Sequence, residues 1–301
     1  MRISNAQTSA MMLSNMNRNT EALYRLQSQI GSGLRIQRPS DDPVAAARLL
    51  RIQREESSIK QYNENIGKVS DNLRIQETHL QSGSDAMGSM RDLLLWASSG
   101  SNSGEDLSAI ASQLSSLEDS LVSFFNAKDE TGNYLFSGTR TDSPAVTFDP
   151  ATGKYVMTGN DEHRQAVVGN GVLIGDNVTA REVLGADADL LNDLHALVDS
   201  LKTAPADPAT LAQIKDTLEQ LDATHGDLLG AITDMGGRQN TLTLMAESNA
   251  DVSLVNQKVQ GDLSQLDMAA AHMEMGMYEI AMQSSYKVYH RLATLSLFDL
   301  M

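Results

Sequence analysis

Apolar residues recur along most of the chain in alternating steps of three and four, which places them on one face of an α-helix. The first such stripe runs from Leu13 to Leu34 and is weakened by polar residues at Thr20 and Gln27. Its strongest positions are Leu13, Met16, Leu23 and Ile30. The stripe then meets two glycines, a residue type that often ends helices.

The segment Ser40-Asp41-Asp42-Pro43 predicts the start of a second helix. Proline suits the first helical position, where a missing N–H costs nothing, and aspartate suits the N-cap before it. Negative charge is also favoured at this end of a helix by the helix dipole.

The next stripe holds the three-four spacing for about five heptads, so it predicts one long helix of coiled-coil character from Val44 to Leu94. A turn-forming stretch follows from Ser98 to Gly104. It is short enough to return the chain as an antiparallel helix, whose apolar positions are Leu107, Ile110, Leu114, Leu117, Leu121 and Phe125.

Beyond Asp129 the helical pattern gives way to short β-branched and aromatic segments separated by glycines. Asn170-Gly171 lies between two apolar runs, which is a signal for a two-residue β-hairpin. We expect a small β-rich insert at residues 139–186.

Helical spacing returns at Leu190, breaks at Pro205 and Pro208, and then runs towards the C-terminus. We expect a slip in register at Gly236-Gly237, a continuous stripe from Leu242 to Ile280, and a stutter near Ser284 before the last apolar positions. The strong positions of that stripe include Leu266, Met273, Met277, Ile280, Val288, Leu292 and Leu295.

These patterns predict a mainly α-helical protein with a small β-rich insert, in which long N- and C-terminal helices pair as a coiled coil or helical bundle. A helix from Val44 to Leu94 would be about 75 Å long at about 1.5 Å per residue, which favours an elongated rod. Such length suggests that apolar stripes are buried against neighbouring copies, so we assign the strong positions of both terminal stripes to an assembly interface.

Composition excludes several classes of function. The net charge of −16 disfavours a nucleic-acid partner, since no basic cluster stands out in the sequence to bind phosphates. The chain has no cysteine, which removes disulfides and thiolate chemistry. No cleavable signal peptide is expected from Met1 to Met12, and no apolar window is long enough to insert into a membrane.

Catalytic and metal-binding patterns are also missing from the sequence. The six histidines show no short metal-ligand spacing, and no Gly-x-Ser-x-Gly elbow occurs. Capping already accounts for the paired carboxylates of Asp41 and Asp42. The methionines from Met268 to Met282 have two interpretations, irregular helix packing or an adaptable surface for several neighbours. We therefore expect no catalytic, cofactor or metal site.

Two N-terminal motifs resemble the signature of the flagellin superfamily: IGSGLRI from Ile30 to Ile36 and PSDDPVAA from Pro39 to Ala46. The opening MRIS and the Ser-Asp-Asp-Pro form are similar to the members that join hook to filament. GNYLFSGT from Gly132 to Thr139 and the end from Ser285 to Met301 also resemble this family. The resemblance covers both helical ends strongly and the centre weakly.

This resemblance implies an extracellular structural subunit of the bacterial flagellum, exported through the flagellar type III apparatus. It implies a terminal coiled-coil assembly domain of residues 1–40 and 260–301 that is disordered in the free subunit, and an inner helical domain of residues 41–138 and 187–259. Residues 139–186 would form a β-rich outer domain. The implied partners are a ring of identical subunits, the first hook-associated protein, flagellin and a cytosolic export chaperone.

Two alternatives stay open. Filament flagellin usually opens around an Ile-Asn-Thr-Asn motif and ends in Leu-Leu-Arg, and this sequence has neither. A secreted coiled-coil effector or translocator would share the helical stripes, but it should carry a long apolar segment that is not found here.

Overall fold

The computed structural model of the protein describes residues 2–99, 102–203 and 207–298. The chain divides into two compact units. Unit 1 comprises Met1–Ser58 and Asp251–Met301, and unit 2 comprises Ile59–Ala250. Two long helices, α2 (Pro43–Ala97) and α6 (Pro208–Ser264), contribute residues to both units.

Unit 1 contains the two terminal helices, α1 (Arg2–Ser32) and α7 (Met268–Phe298). They pack against each other in antiparallel directions. Near the end of α1, Leu34 forms an antiparallel bridge with Gln265. Further along, the Thr20 hydroxyl lies 3.4 Å from Met282 Sδ.

Helices α6 and α7 are separated by a break at residues 265–267, which interrupts the stripe that was expected to be continuous from Leu242 to Ile280. Asp267 caps the new helix, because its carboxylate accepts a hydrogen bond of 3.0 Å from the Ala270 N–H. At this break the backbone hydrogen bonds of Ser264 and Leu266 go to residues 33–35. The apolar periodicity does not reveal the break, because these partners are distant in the sequence.

The slip expected at Gly236-Gly237 is not seen, because α6 continues through both glycines. Glycine disfavours a helix interior by about 1 kcal/mol relative to alanine. The side chains on either side compensate, since Met235 and Leu242 are buried in the core of unit 2.

The core of unit 2 is built on a strict seven-residue repeat, the pattern of helices that pack along a coiled-coil seam. In α2 the buried repeat is Ile59, Ile66, Leu73, Leu80, Met87 and Leu94. In α6 it is Ile214, Leu221, Leu228, Met235 and Leu242. The third helix, α3 (Gly104–Phe125), contributes Leu107, Leu114 and Leu121 and begins with a capping box at Ser103. The long-helix prediction is thereby confirmed.

Helices α2 and α6 run antiparallel within unit 2. The Arg91 guanidinium pairs with Asp222 at 2.7 Å, and Ser84 is 2.8 Å from His225 Nε2. At Gly83 the three helices come close, since a β-carbon there would lie 3.5 Å from Leu228 and 3.6 Å from Leu121.

Two antiparallel hairpins make up the β-structure. Strands β1 (Val146–Asp149) and β2 (Lys154–Met157) form one, and β3 (Gln165–Gly169) and β4 (Val172–Gly175) form the other. The second turns at Asn170-Gly171, where Gly171 has a φ of 74°, a conformation that glycine adopts without strain. The buried Gln76 of α2 ties this region to the helices, because its amide donates to the Asp176 carbonyl and accepts from the Val178 N–H.

Two further helices, α4 (Ala180–Leu184) and α5 (Asp189–Thr203), complete unit 2. Helix α5 packs against α3 and β2. Between them lies a buried polar cluster, in which His195 Nδ1 is 2.9 Å from the Glu118 carboxylate. Burial, and then the hydrogen bond to Glu118, raise the pKa of the Tyr155 hydroxyl. The predicted class, mainly α with a small β-rich insert, is confirmed.

Candidate assembly surface on the terminal helices

The terminal helices bury little of their apolar surface against each other. Among the side chains described in α1 and α7, only Leu26 and Ala271 are buried, at 5% and 3% exposure. Half-buried residues flank this pair: Met16, Leu23 and Ile30 from α1, and Met275, Tyr278 and Met282 from α7. The resulting contact is one narrow seam.

A second apolar stripe follows the exposed side of α7. Met273, Met277 and Ile280 are 68%, 70% and 67% exposed, and Val288 is exposed as well. On α1, Leu13 and Tyr24 are also exposed. A helix that is apolar on two faces needs a partner for each face, and α1 covers only one of them.

The structure therefore separates the residues assigned to the assembly interface. Met16, Leu23 and Ile30 are half-buried in the seam, whereas Leu13, Met273, Met277, Ile280 and Val288 are exposed. Leu266 lies between α6 and α7, where its N–H donates to the Gly33 carbonyl at 3.0 Å. The side chains of Leu292 and Leu295 lie outside the described part of the chain.

Sequence reasoning missed the residues of α7 that face α1. These residues are spaced by four, three and four positions: Ala271, Met275, Tyr278 and Met282. Their spacing is as regular as that of the stripe through Met273, Met277 and Ile280. The signal was present, but two interleaved stripes on one helix cannot be ranked by spacing alone.

The loop from Gly33 to Asp42 connects α1 to α2 and is held by its own carboxylates. Asp41 accepts hydrogen bonds from the Gln37 and Arg38 N–H groups, at 3.1 Å and 2.9 Å. These two bonds, that from Arg38 first, lower the pKa of Asp41. Ser40 is exposed in the same loop.

Asp42 occupies the N-cap position of α2, which begins at Pro43. Its carboxylate accepts a hydrogen bond of 3.0 Å from the Ala45 N–H, and this bond lowers the pKa of Asp42. The second carboxylate oxygen is 3.3 Å from Arg35 Nη1.

Arg35 joins this loop to the break between α6 and α7. Its guanidinium donates to the Leu263 carbonyl from Nη2 at 2.9 Å and from Nε at 3.2 Å. Its backbone N–H donates to the Ser264 carbonyl at 2.8 Å. Carbonyls at the end of a helix have no partner within that helix, so Arg35 satisfies two that the break exposes.

No group of three or more metal-ligating side chains occurs within residues 2–99, 102–203 and 207–298. In the same ranges, no helix is long and apolar enough to cross a membrane. Three of the histidines hold structural contacts: His163 with Asn177, His195 with Glu118 and His225 with Ser84. The described part of unit 1 therefore presents an exposed apolar stripe on two helices that bury few side chains against each other.

Comparison with known proteins identifies the family. The family model for the bacterial flagellin N-terminal helical region matches residues 3–141. Flagellar hook-associated protein 3 of Escherichia coli K12 is 27% identical over 289 residues, or 90% of each chain. A solved structure assigned as a flagellar hook-associated protein of Vibrio parahaemolyticus is 40% identical, with a TM-score of 0.69. That match covers 75% of this chain and all of the other.

The chain belongs to the family of flagellar hook-associated proteins. Hook-associated proteins are structural components of the flagellum, and the flagellin-like motifs of the sequence are accounted for by this family. The fold alone is shared with the flagellar junction protein FlgL of Legionella pneumophila, at 16% identity and a TM-score of 0.59, over 72% of this chain and all of the other.

Within this hook-associated protein, the family match from residue 3 to 141 includes α1, the Arg35 loop, α2 and α3. The exposed stripe of α7 lies outside the matched range. The structure therefore adds a surface that the N-terminal family motifs do not contain.

Proposed function

We propose that this protein is the extracellular subunit that joins the flagellar hook to the filament. Identical copies would form a ring that contacts the first hook-associated protein on one side and flagellin on the other. The observation that carries the proposal is the second apolar face of α7, which the single chain leaves exposed.

The energetic case rests on four side chains of that face: Met273, Met277, Ile280 and Val288. Burying one such side chain stabilises a contact by roughly 1.5 to 3 kcal/mol. Four of them are worth on the order of 6 to 12 kcal/mol before the cost of association, which is of similar size. Incorporation should therefore depend strongly on this face and still require contacts from other surfaces.

A junction subunit must also stop growing after one tier. Head-to-tail contacts that repeat without closure give an open filament, so one axial face has to be specific for a different protein. We assign the variable faces to the β-rich insert near Lys154 to Ile174 and to the Met-rich segment from Met268 to Met282. In the hairpin of β3 and β4, the paired residues Val167 and Leu173 are both exposed, which leaves an apolar surface for a partner.

The proposal extends to domains and export. Residues 1–40 and 260–301 would form the assembly domain, residues 41–138 and 187–259 the inner helical domain, and residues 139–186 the outer domain. Export would use the flagellar type III apparatus, after a cytosolic chaperone has covered the exposed face of α7. The terminal helices bury few side chains against each other, so they can separate at little energetic cost. This supports export in an opened state.

The test is complementation of a strain that lacks this protein. We expect the deletion strain to build hooks, to shed flagellin monomers into the medium and to regain filaments when the wild-type chain is restored. A deletion strain that still builds filaments of normal length and number would contradict the proposal.

A further inference from the structure

The methionines of this chain differ sharply in exposure. Met87, Met90 and Met235 lie in the core of unit 2, and each is at most 1% exposed. Met273 and Met277 of α7 are 68% and 70% exposed. All five carry the same thioether group, so access from the solvent decides which of them a dissolved reagent reaches first.

The two exposed methionines lie on one face of α7. Met273 and Met277 are four residues apart, a spacing that places both side chains next to each other on the helix surface. The same exposed stripe continues to Ile280. Within the described ranges, neither of the two sulfur atoms accepts a hydrogen bond. Both thioethers are therefore open to a small reagent.

The methionines on the other face of α7 are better protected. Met275 and Met282 are half-buried in the seam with α1. The Thr20 hydroxyl donates a hydrogen bond of 3.4 Å to Met282 Sδ, which engages a lone pair of that sulfur. One helix thus carries accessible and protected methionines on opposite sides.

Hydrogen peroxide is an oxidant that converts an accessible thioether into a sulfoxide. The sulfur lone pair attacks one peroxide oxygen, the O–O bond breaks and the sulfur–oxygen bond forms. The departing hydroxide takes up the proton of the transferred oxygen and becomes water. The sulfur loses two electrons and the peroxide gains them. The chain has no cysteine, so none of its own thiols competes for the oxidant.

We infer that Met273 and Met277 form an oxidation site that decides whether the subunit can be incorporated. Their sulfoxides are polar, and burying a polar group against a neighbour without a hydrogen-bond partner is unfavourable. In the free subunit the same groups stay in water, so their oxidation leaves the fold intact. The inference rests on the proposed function in one respect, namely that this face of α7 is covered in the assembled flagellum.

Peptide mass spectrometry tests the selectivity of the site. The purified chain is treated with hydrogen peroxide for increasing times, quenched with catalase and digested. Met273 and Met277 should gain oxygen at least about tenfold faster than the three methionines in the core of unit 2, and Met282 should react at an intermediate rate. Equal rates at the exposed and the buried methionines would overturn the inference.

Binding to isolated hooks tests the consequence of oxidation. Hooks from the strain that lacks this protein are mixed with the purified chain, and the chain that sediments with them is measured. Peroxide treatment should lower the bound amount at least about tenfold, and reduction by the two methionine sulfoxide reductases should restore it. The thermal unfolding midpoint should stay within about 3 °C throughout, which excludes loss of fold as the cause. Unchanged binding after treatment would overturn the inference.

The variant with Met273→Leu and Met277→Leu is the matched control. Leucine keeps the stripe apolar at similar volume and has no sulfur to oxidise. Met11 is 60% exposed on α1 and is still open to peroxide in this variant. The treated variant should bind hooks as its untreated form does. An equal loss in the variant and in the wild-type chain would assign the effect to another residue and overturn the inference. Failure of the proposed function is recognised separately, because the untreated wild-type chain would then not bind the hooks.

Discussion

The Arg35 guanidinium donates a hydrogen bond of 2.9 Å to the carbonyl oxygen of Leu263, a residue 228 positions later in the chain. This hydrogen bond ties the loop after α1 to the end of α6. Helix α1 ends next to this junction, and helix α7 begins next to it. The side chain of Arg35 thus supports a junction that the Leu34–Gln265 bridge and the hydrogen bond from Leu266 to Gly33 also hold.

Replacing this arginine with alanine (Arg35→Ala) should make the segment between α6 and α7 open more often. Hydrogen bonds from a charged donor contribute about 1.5 to 3 kcal/mol, and partial exposure reduces this contribution to about 1.4 kcal/mol. Such a loss would raise the equilibrium constant for local opening about tenfold. We expect hydrogen exchange at the Leu266 N–H to accelerate about tenfold. Arg74→Ala is the matched control, since Arg74 forms an exposed pair with Asp71 only. Equal acceleration in both variants would show that Arg35 does not hold the break.

Tyr155 should make the stability of unit 2 depend on alkaline pH. Its pKa is raised in the folded protein, first by burial and then by Glu118, above the ordinary value of 10.0. The folded state therefore holds this proton more tightly, and the contribution is complete below pH 10 and is lost as the pH rises above it. The free energy of unfolding should decline above pH 10 in the wild-type chain and decline less in Tyr155→Phe.

Absorbance titration provides a direct check of the same residue. Because its pKa is raised in the folded protein, Tyr155 should contribute no absorbance change near pH 10. A folded Tyr155→Phe variant should thus show the same titration as the wild-type chain up to the alkaline unfolding transition. A smaller amplitude in the variant near pH 10 would mean that Tyr155 titrates normally.

The exposed stripe of α7 should serve assembly and leave monomer stability unaffected. We expect Met277→Asp, Ile280→Asp and Val288→Asp together to abolish incorporation, because each would bury an unpaired charge in the assembled contact. The thermal midpoint of unit 2 should stay within about 3 °C, since these side chains are exposed in the single chain. His272→Asp with Gln283→Asp is the control, because both residues are exposed and lie off this stripe, and it should assemble. A monomer that melts much earlier would place the stripe in its own core.

The terminal helices should be the first parts of the free subunit to open. Leu26 and Ala271 are the buried apolar side chains among those described in α1 and α7, so local unfolding there costs little. Limited proteolysis should remove about residues 1–40 and 260–301 and leave unit 2 intact, as its core contains the three repeating helices. A full-length chain that resists the protease would contradict this prediction.

Local rules were sufficient for most of the helical fold. The seven-residue repeat from Ile59 to Leu94 is a pattern within one segment, and it follows directly from the packing of helices in a bundle. The hairpin at Asn170-Gly171 and the N-cap at Asp42 are also decided by neighbouring residues. Such features can be predicted because no distant contact competes with them.

Contacts between distant segments explain what the sequence did not reveal. The break at residues 265–267 depends on Arg35 and Gly33, and apolar spacing carries no information about them. The buried pair of Glu118 and His195 also joins two helices that are far apart in sequence. For the candidate surface, spacing identified one apolar stripe on α7, but only packing against α1 reveals the second stripe and shows which face stays exposed.

The position of the protein along the flagellum tests the central claim most directly. Ala151 is exposed in the turn between β1 and β2, and Ala151→Cys would be the only cysteine of the chain, so a maleimide dye labels one site. With this variant as the sole copy in a motile strain, we expect one fluorescent spot per flagellum at the boundary between hook and filament. Continuous fluorescence along the filament would contradict the junction role and would favour a filament flagellin.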